Sequence, residues 1–383
     1  MLSWYTIEPI DVLLFREEKP FSPGEGSWAK GKFPPMPITV FQALRSALPH
    51  YGYNQKDKKR NLTFIGPFLL DIQNTLWLPT PKDLLCVRKK DNPTEAEDNH
   101  KDSTDTWDKI KRLQPKDTQP GWDYICFDRD ELQPMVPPQL EENEFICGSP
   151  QPWIKAEALI KYLEGNNFEN KKDNKDNDYF CDHPWSLQIL PHIHMKSGSR
   201  QVRDEEGYFT EIAVRMDPGW RLVAGISTKI DQTVVRLGGE GHRAIVSPIK
   251  PLKPWQDLEQ FSEQKSSNFA YLLTPGIAEK QKAKYGVYPS NWKENLRGCV
   301  SDRPLLWGGR TQIKRRLLNS QERGNWQSAL SPQRAFVAPG TVYSFGENLP
   351  KDKLLLPDSN NDDLETFRQL NYGKLLWGNI KSG

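Results

Sequence analysis

The segment LGGEGHRA contains the residues whose types and spacing most directly suggest chemistry. Gly238, Gly239 and Gly241 can adopt positive φ and allow a ligand to approach the main chain closely. Successive N–H groups in such a turn form a concave site for an anion, and His242 and Arg243 stand beside it to neutralise a phosphate. The simpler interpretation is a tight connection between two strands, because the flanking residues are apolar and partly β-branched.

A second concentration of functional side chains lies between residues 303 and 334, where seven basic residues face one acidic residue. Trp307, Trp326 and Phe336 are interleaved with them. Phosphates could contact the cations while exposed bases stack on aromatic or guanidinium planes. In the alternative interpretation, the tryptophans belong to the core and the cations only solvate the surface. The basic residues are Arg303, Arg310, Lys314, Arg315, Arg316, Arg323 and Arg334.

His192 and His194 are the nominal candidates for a metal or acid–base site. Alternation along the strand-like residues 187–195 puts both imidazoles on one face. A triplet of carboxylates follows at 204–206. However, no third ligand stands at a defined spacing, and such a triplet is more often a solvated hairpin tip. We therefore expect no metal site and no cofactor.

A long hairpin is predicted at 199–216. Arg200 and Arg203 lie on its first arm, the residues DEEG form its turn, and 208–216 form its second arm. Such a hairpin could lie along a nucleic-acid backbone. Cross-strand ion pairing with Glu211 explains the same arginines equally well.

Composition limits the class of protein. The 383 residues provide enough chain for two or three domains, and a mean hydropathy of −0.73 with 27% charged residues indicates a polar globular protein. The 52 basic and 50 acidic side chains nearly cancel, so net charge does not identify a partner. Five scattered cysteines without a C-x-x-C pair are typical of reduced thiols. The charged, proline-containing N-terminus predicts neither a signal peptide nor a membrane span, so we expect a cytoplasmic protein.

The elements that must position these residues mix helices and strands, which predicts an α+β protein of two units with insertions. Such units would suit a pair of ferredoxin-like folds, although periodicity alone does not give the strand order. Apolar residues at helical spacing predict helices at 38–48, 154–163, 255–261 and 362–370. Strand composition predicts strands at 4–15, 62–70, 75–78, 84–87, 187–195, 208–216, 220–226, 233–237, 244–246, 269–273, 336–345 and 374–380. Polar segments at about 89–120 and 165–185 predict surface insertions.

Four stretches together resemble the RAMP-superfamily proteins that form the third subunit of type III-B CRISPR effectors, the Cmr complexes. The similarity spans residues 9–378, and the combination is more specific than any single motif. The resemblance implies two RRM-like, ferredoxin-like domains, at 1–235 and 236–383, with long insertions and a β-hairpin. The stretches are PIDVLLFREEKPF with the downstream FPPMPITVFQALRSAL, the turn LGGEGHRA, YLLTPGI and SPQRAFVAPGTVYSF.

The resemblance also implies a function. Such a protein is a non-catalytic subunit that holds the 5′ handle of the crRNA and docks the large palm-domain cyclase subunit and a backbone RAMP subunit, for RNA-guided antiviral defence. RAMP proteins usually carry a glycine-rich segment near the C-terminus. The corresponding segment here, 371–378, keeps only two glycines and begins with Asn371, a residue type that tolerates a left-handed conformation. A crRNA-processing ribonuclease with His192 or His194 as general acid or base is the alternative function.

By this resemblance, the RNA-binding residues surround the glycine turn. Arg45 on the first helix would face the same groove, and Arg16 and Lys30 would close over the RNA. The basic residues of the second domain would either extend this groove or contact a partner subunit. The residues expected to bind RNA are Arg16, Lys30, Arg45, Arg200, Arg203, Gly238, Gly239, Gly241, His242, Arg243, Lys314, Arg315, Arg316 and Arg334.

Overall fold

The structure of the protein is a computed structural model, and its described residues form an α+β fold. Among them, no helix is long and apolar enough to cross a membrane. The described residues are 2–15, 28–29, 31–48, 62–90, 107–122, 124, 132–166, 168–169, 179–193, 198, 201, 208–264, 267–279, 285–308, 312–316, 326–330, 333–358 and 362–380.

The helices lie where apolar spacing predicts them. Pro37 begins the first, a position at which the missing N–H of proline would have no acceptor inside the helix. Val40 and Leu44 of this helix are completely buried. The helices are α1 (Pro37–Ser46), α2 (Ala156–Leu163), α3 (Lys253–Glu259) and α4 (Asp362–Gln369).

The strands are numbered in chain order. Those of the first half are β1 (Ser3–Pro9), β2 (Trp28–Ala29), β3 (Phe64–Leu70), β4 (Leu76–Pro79), β5 (Leu84–Lys89), β6 (Lys109–Arg112), β7 (Gln114–Pro115), β8 (Met135–Val136), β9 (Glu144–Gly148), β10 (Trp153–Lys155), β11 (Phe168–Glu169), β12 (Phe180–Cys181) and β13 (Trp185–Ile193). Those of the second half are β14 (Tyr208–Met216), β15 (Arg221–Ile226), β16 (Thr233–Arg236), β17 (Arg243–Ile249), β18 (Phe269–Leu272), β19 (Leu296–Val300), β20 (Leu305–Trp307), β21 (Gln312–Arg316), β22 (Trp326–Leu330), β23 (Arg334–Phe336), β24 (Val342–Phe345) and β25 (Leu375–Gly378).

The first large sheet has the order β12, β10, β4, β3, β15, β1, β17, β16. Its central strands β3, β15, β1 and β17 are antiparallel and have the strand order of a ferredoxin-like unit. Helix α1 connects β1 to β3, and β15 lies between these two strands. In the connection from β15 to β17, the position of the second helix of such a unit is taken by the edge strand β16.

The second unit has the same strand order but keeps the crossover helix between its third and fourth strands. Its sheet has the order β19, β24, β18, β25, and all neighbours are antiparallel. Helix α4 connects β24 to β25, whereas the described part of the connection from β18 to β19 contains only a short 3-10 turn, Ser290–Trp292. Each unit therefore keeps one of the two crossover helices. The smaller sheets are β11-β6-β5-β9, β13-β14-β2, β20-β23, β21-β22 and β7-β8.

The two units share their cores. Helices α1 and α4 pack in one cluster, in which Tyr372 accepts a hydrogen bond from the amide of Ile38 at 3.2 Å. On the other side, Trp255 of α3 stacks on Phe68 of β3, with ring centroids 5.6 Å apart. The hydroxyl of Tyr271 on β18 donates to a carbonyl at the end of β4 at 2.6 Å. These contacts join the two units through two clusters of buried residues to which both units contribute.

The predicted domain boundary at 235/236 falls inside the first sheet. Val235 on β16 pairs with Ala244 on β17, and β17 pairs with β1. The glycine turn is therefore an internal connection of the first unit, which extends to Ile249. The boundary was placed too early because a glycine-rich turn inside a hairpin has the same composition as a linker.

The predicted insertions are partly ordered structure. In the segment 89–120, β6 pairs with β5 and β11, and its Ile110 is 4% exposed. In the segment 165–185, β11 is the edge strand of the sheet β11-β6-β5-β9, and β12 is an edge strand of the first large sheet. Composition alone did not indicate β6, because only one residue of KIKR is apolar. Residues 91–106 and 170–178 lie outside the described residues.

The hairpin predicted at 199–216 has a different first arm. Strand β14 pairs with β13, from Trp185 opposite Met216 to Ile193 opposite Tyr208. The partner of β14 is therefore β13, and Arg200 and Arg203 lie outside the described residues. The register follows the alternating apolar residues of β13, which the prediction treated as a separate strand.

Candidate nucleic-acid interface

The glycine-rich segment connects β16 and β17, as the simpler interpretation predicts. The strands are paired up to Arg236 and Arg243. Beyond that pair, the amide of Leu237 donates to the carbonyl of His242 at 2.9 Å, and the amide of His242 donates to the carbonyl of Gly239 at 3.2 Å. The turn is therefore a tight hairpin end at the outer edge of the first large sheet.

Gly238 is required by the packing of the chain on itself. It has a φ of +86°, and a Cβ atom there would lie 2.4 Å from the carbonyl oxygen of Leu14. The same carbonyl accepts a hydrogen bond from the amide of Gly239 at 2.8 Å. The backbone of Leu14 thus lies against this turn. The Gly239 amide is already hydrogen-bonded and does not contact an external anion.

The opposite side of the turn is open. Gly241 has a φ of +80°, and a Cβ atom there would meet no described atom within 4 Å. Gly238, Glu240 and Gly241 are all exposed. A ligand can therefore reach the turn from the side of Gly241, with the carboxylate of Glu240 nearby in the chain.

His242 is held by a buried carboxylate that the sequence suggested only as a partner for arginine. Glu211 on β14 is fully buried, and its Oε1 lies 2.8 Å from Nε2 of His242. Its Oε2 lies 2.8 Å from Nε2 of His192 on β13. A carboxylate removed from water needs such partners, because an unpaired buried charge is strongly destabilising. Of the two contacts, that of His242 fastens the glycine turn to the hairpin of β13 and β14, whereas that of His192 lies within this hairpin.

This contact changes the chemistry expected of the two histidines. Nε2 of His242 faces Glu211, so this nitrogen is not directed at a phosphate. His192 is the more accessible of the pair, with 34% of its side chain exposed against 16% for His242. An imidazole oriented by a carboxylate is also the arrangement of a general base. Within the described ranges, no group of three side chains suited to a metal ion occurs.

Arg243 and Arg45 do not share a face of the sheet. Ala244 and the paired Val235 are buried in the core beside α1, and successive side chains of a strand point to opposite faces. Arg243 is therefore exposed on the face away from α1. Arg45 is exposed in the last turn of α1, with its guanidinium 5.8 Å from the ring centroid of Phe41. The common groove that the resemblance implies for these two arginines is not formed, because the sheet separates them.

Several predicted site residues lie where their side chains are not described. Those outside the described residues are Arg16, Lys30, Arg200, Arg203 and His194. Those in β21, of which only the backbone is described, are Lys314, Arg315 and Arg316. Their contacts with RNA stay predictions.

Arg334 is buried, with 9% of its surface exposed, at the start of β23. It pairs across the sheet with Trp307, whose ring lies against those of Phe336 and Phe367. Phe336 is therefore a core residue, and the half-buried Trp307 packs against that core. The side chain of Trp326 is not described. The burial of Arg334 disfavours the direct RNA contact expected of it.

A cavity of about 230 Å³ lies between the two ferredoxin-like units. Eight prolines line it, and their rings make its walls rigid and mostly apolar. Lys82 and Asp302 also line it and form an ion pair at 3.0 Å. The hydrogen bond from Lys82 lowers the pKa of the Asp302 carboxyl. Such walls suit an apolar or planar group better than a phosphate.

Comparison with known proteins gives one family match and several structural similarities. The family model described as CRISPR-associated protein (Cas_Cmr3) matches residues 5–380. A search of curated proteins finds no significant match.

Two of the similar solved structures are cryo-EM structures of the type III-B Cmr-beta complex bound to cognate target RNA, one of them also with AMPPnP. Their chains have 12% and 11% identity to this chain and TM-scores of 0.43, over 89% of this chain and 86% of theirs. A crystal structure of a Csm3–Csm4 subcomplex from the type III-A interference complex contains a chain with 13% identity and a TM-score of 0.30, over 90% of this chain and 93% of that one.

Proposed function

Since this chain belongs to the CRISPR-associated Cas_Cmr3 family, we propose that it is a non-catalytic RNA-binding and assembly subunit of a type III effector. In this proposal, the turn between β16 and β17 holds the 5′ handle of the crRNA. Other surfaces dock the large palm-domain cyclase subunit and a backbone RAMP subunit. The assembled particle carries out RNA-guided antiviral defence.

The exposed, positively charged end of the hairpin of β16 and β17 is the observation that carries RNA binding. Arg243 is exposed there, and its side chain makes no hydrogen bond or ion pair within the part of the chain that the structure describes. The turn beside it is open at Gly241. Arginine contacts to phosphate fix the position of an RNA strand without reading its bases. Such contacts suit a handle that is bound in one shape.

Docking is supported by an exposed apolar face on β13. Leu187, Ile189 and Ile193 are 65%, 57% and 54% exposed, and alternation puts all three on one side of the strand. Apolar surface of this kind is typical of a contact with another protein.

The contact between His192 and Glu211 keeps the alternative function, a crRNA-processing ribonuclease, as a second candidate. A general base needs an oriented imidazole, which this carboxylate provides. The same carboxylate also holds His242, and this second contact fastens the hairpin to the turn. We favour a structural role because the need to pair the buried carboxylate of Glu211 accounts for both imidazoles at once.

Replacing Arg243 with alanine tests the proposal. We expect the full-length variant to bind crRNA more weakly, with the slope of log affinity against log salt reduced by about 0.7 for each phosphate that the variant no longer neutralises. Lys229→Ala is the matched control, because Lys229 is an exposed cation that precedes β16 at the end away from the turn. Equal affinity and equal salt slope for Arg243→Ala and the wild type would remove the turn as the RNA site.

Incubation of the purified chain with CRISPR repeat RNA separates the two candidate functions. The non-catalytic proposal predicts that the RNA stays intact. Specific cleavage that disappears in His192→Ala would establish the ribonuclease instead.

A further inference from the structure

Arg236 stands directly opposite Arg243 in the last pair of the hairpin. The preceding pair, Val235 and Ala244, is buried on the face toward α1, so both arginines point to the other face. Both are exposed. Sequence spacing gave no sign of this, because the two residues are brought together only by the register of the strands.

Two like charges directly opposite each other destabilise an antiparallel pair. Within the described residues, neither guanidinium makes a hydrogen bond or ion pair that would offset this repulsion. Glu211 is buried and already contacts two imidazoles. Glu8, which is opposite Ile245 on the same face, is exposed and forms no ion pair with either arginine. Glu240 is the exposed carboxylate of the turn, and it forms no ion pair with either arginine. The two guanidinium groups thus have no carboxylate partner among the described residues.

We infer that Arg236 and Arg243 together form one oxyanion site that takes a single phosphodiester of RNA. This inference rests on the proposed function and deepens it, because it adds Arg236 to the site and makes the unit of recognition one phosphate held by two arginines. Each planar guanidinium can donate two parallel hydrogen bonds to phosphate oxygens. A phosphate between them removes the repulsion that the free chain carries.

The turn behind the two arginines is fixed before RNA binds. The carbonyl of Leu14 holds the amide of Gly239, and Glu211 holds the ring of His242. A site whose backbone is already ordered loses less conformational entropy on binding. The two guanidinium groups are therefore carried by a rigid hairpin end.

The test measures the affinity of full-length variants for crRNA in which one handle phosphate at a time is replaced by a neutral methylphosphonate. In the wild type, we expect one such replacement to weaken binding about tenfold, as the loss of charge-assisted hydrogen bonds does. Arg236→Ala and Arg243→Ala should each weaken binding to unmodified crRNA. Both variants should also lose most of their sensitivity to that same replacement.

Three outcomes distinguish this inference from the proposed function. If Arg243→Ala weakens binding and Arg236→Ala behaves like the Lys229→Ala control, only the two-arginine site is wrong. If the two variants lose sensitivity at different phosphates, each arginine has its own phosphate and the shared site is again wrong.

If neither variant differs from the control, the proposed RNA site itself fails. The melting temperature of Arg236→Ala should equal or exceed that of the wild type, because the substitution removes repulsion.

Discussion

At the scale of single residues, two glycines of the turn between β16 and β17 have different roles, which the sequence alone does not distinguish. Gly238 and Gly241 both have a left-handed backbone. Only Gly238 is also contacted closely by another part of the chain, the carbonyl of Leu14. The first glycine therefore serves packing, whereas the second leaves the turn open to solvent.

Substitution of these two glycines with alanine should lower the free energy of unfolding by different amounts. Gly241→Ala should lower the free energy of unfolding by about 1–2 kcal/mol, the cost of a left-handed alanine. Gly238→Ala adds a contact of 2.4 Å with a backbone oxygen and should cost clearly more, since either the turn or the segment at Leu14 must shift. Urea unfolding of both variants measures the difference. Equal losses would show that the approach of Leu14 to the turn is not tight in solution.

The sequence indicates His242 and Arg243 as candidate site residues, which stays a prediction, but it could not assign Glu211. The role of Glu211 depends on the pairing of β14 with β13, which puts Glu211 on the same face as His192. Once that register is known, a carboxylate and an imidazole on one face of a hairpin indicate a contact. Without it, Glu211 is one of many charged residues in a strand.

At the scale of secondary-structure elements, β6 shows how a charged strand can belong to the core. Arg112 lies between the rings of Tyr162 and Phe269, about 4 Å from each centroid, and its Nε donates to Asp83 at 2.9 Å. Tyr162 also donates to Asp83 at 2.8 Å. This network connects β6 to α2 and to β18 of the second unit. Composition assigned the segment to a surface insertion because it does not distinguish a largely buried arginine with hydrogen-bond partners from a solvated one.

The apolar face of β13 predicts a protein contact that can be tested with variants of one strand. The double variant Leu187→Lys/Ile189→Lys puts two charges on the exposed face and should reduce recovery of this chain in the assembled effector. Its melting temperature as an isolated chain should change little, since both side chains are more than half exposed. Affinity purification through another subunit measures the recovery.

Gln188→Lys is the matched control for that experiment. Gln188 lies between the two substituted residues but on the opposite face, where it accepts a hydrogen bond from Nε of Arg215 at 2.8 Å. The control should assemble like the wild type. Full recovery of the double variant would show that this face does not bind another subunit.

At the scale of the whole molecule, sequence analysis could predict two ferredoxin-like units but not how they divide the chain. The number of units follows from strand and helix order, which local composition indicates well. The boundary and the missing helix of each unit depend on which strands pair. The shared core adds contacts that no local pattern reveals, such as the hydrogen bond from the amide of Ile38 in the first unit to the hydroxyl of Tyr372 in the second.

Buried phenols predict that the protein unfolds in alkali. Burial raises the pKa of four tyrosines above the ordinary value near 10, namely Tyr162, Tyr271, Tyr343 and Tyr372. Above that pH, the unfolded chain loses protons that the folded chain keeps. The folded chain then binds more protons, so the free energy of unfolding must fall as the pH rises.

We therefore expect the melting temperature to fall steeply above about pH 10, where free phenols ionise. Tyrosinate absorbance at about 295 nm should appear in the same transition as the loss of circular dichroism, because these phenols ionise only when the core opens. Tyr343→Phe should give a shallower fall above that pH, since it removes one of the linked protons. Its stability at neutral pH should be lower, because the variant cannot form the hydrogen bond that Tyr343 donates to the carbonyl of Val287 at 2.6 Å. Ionisation of all twelve tyrosines while the circular dichroism stays native would show that the phenols are open to solvent and that the two units do not share a closed core.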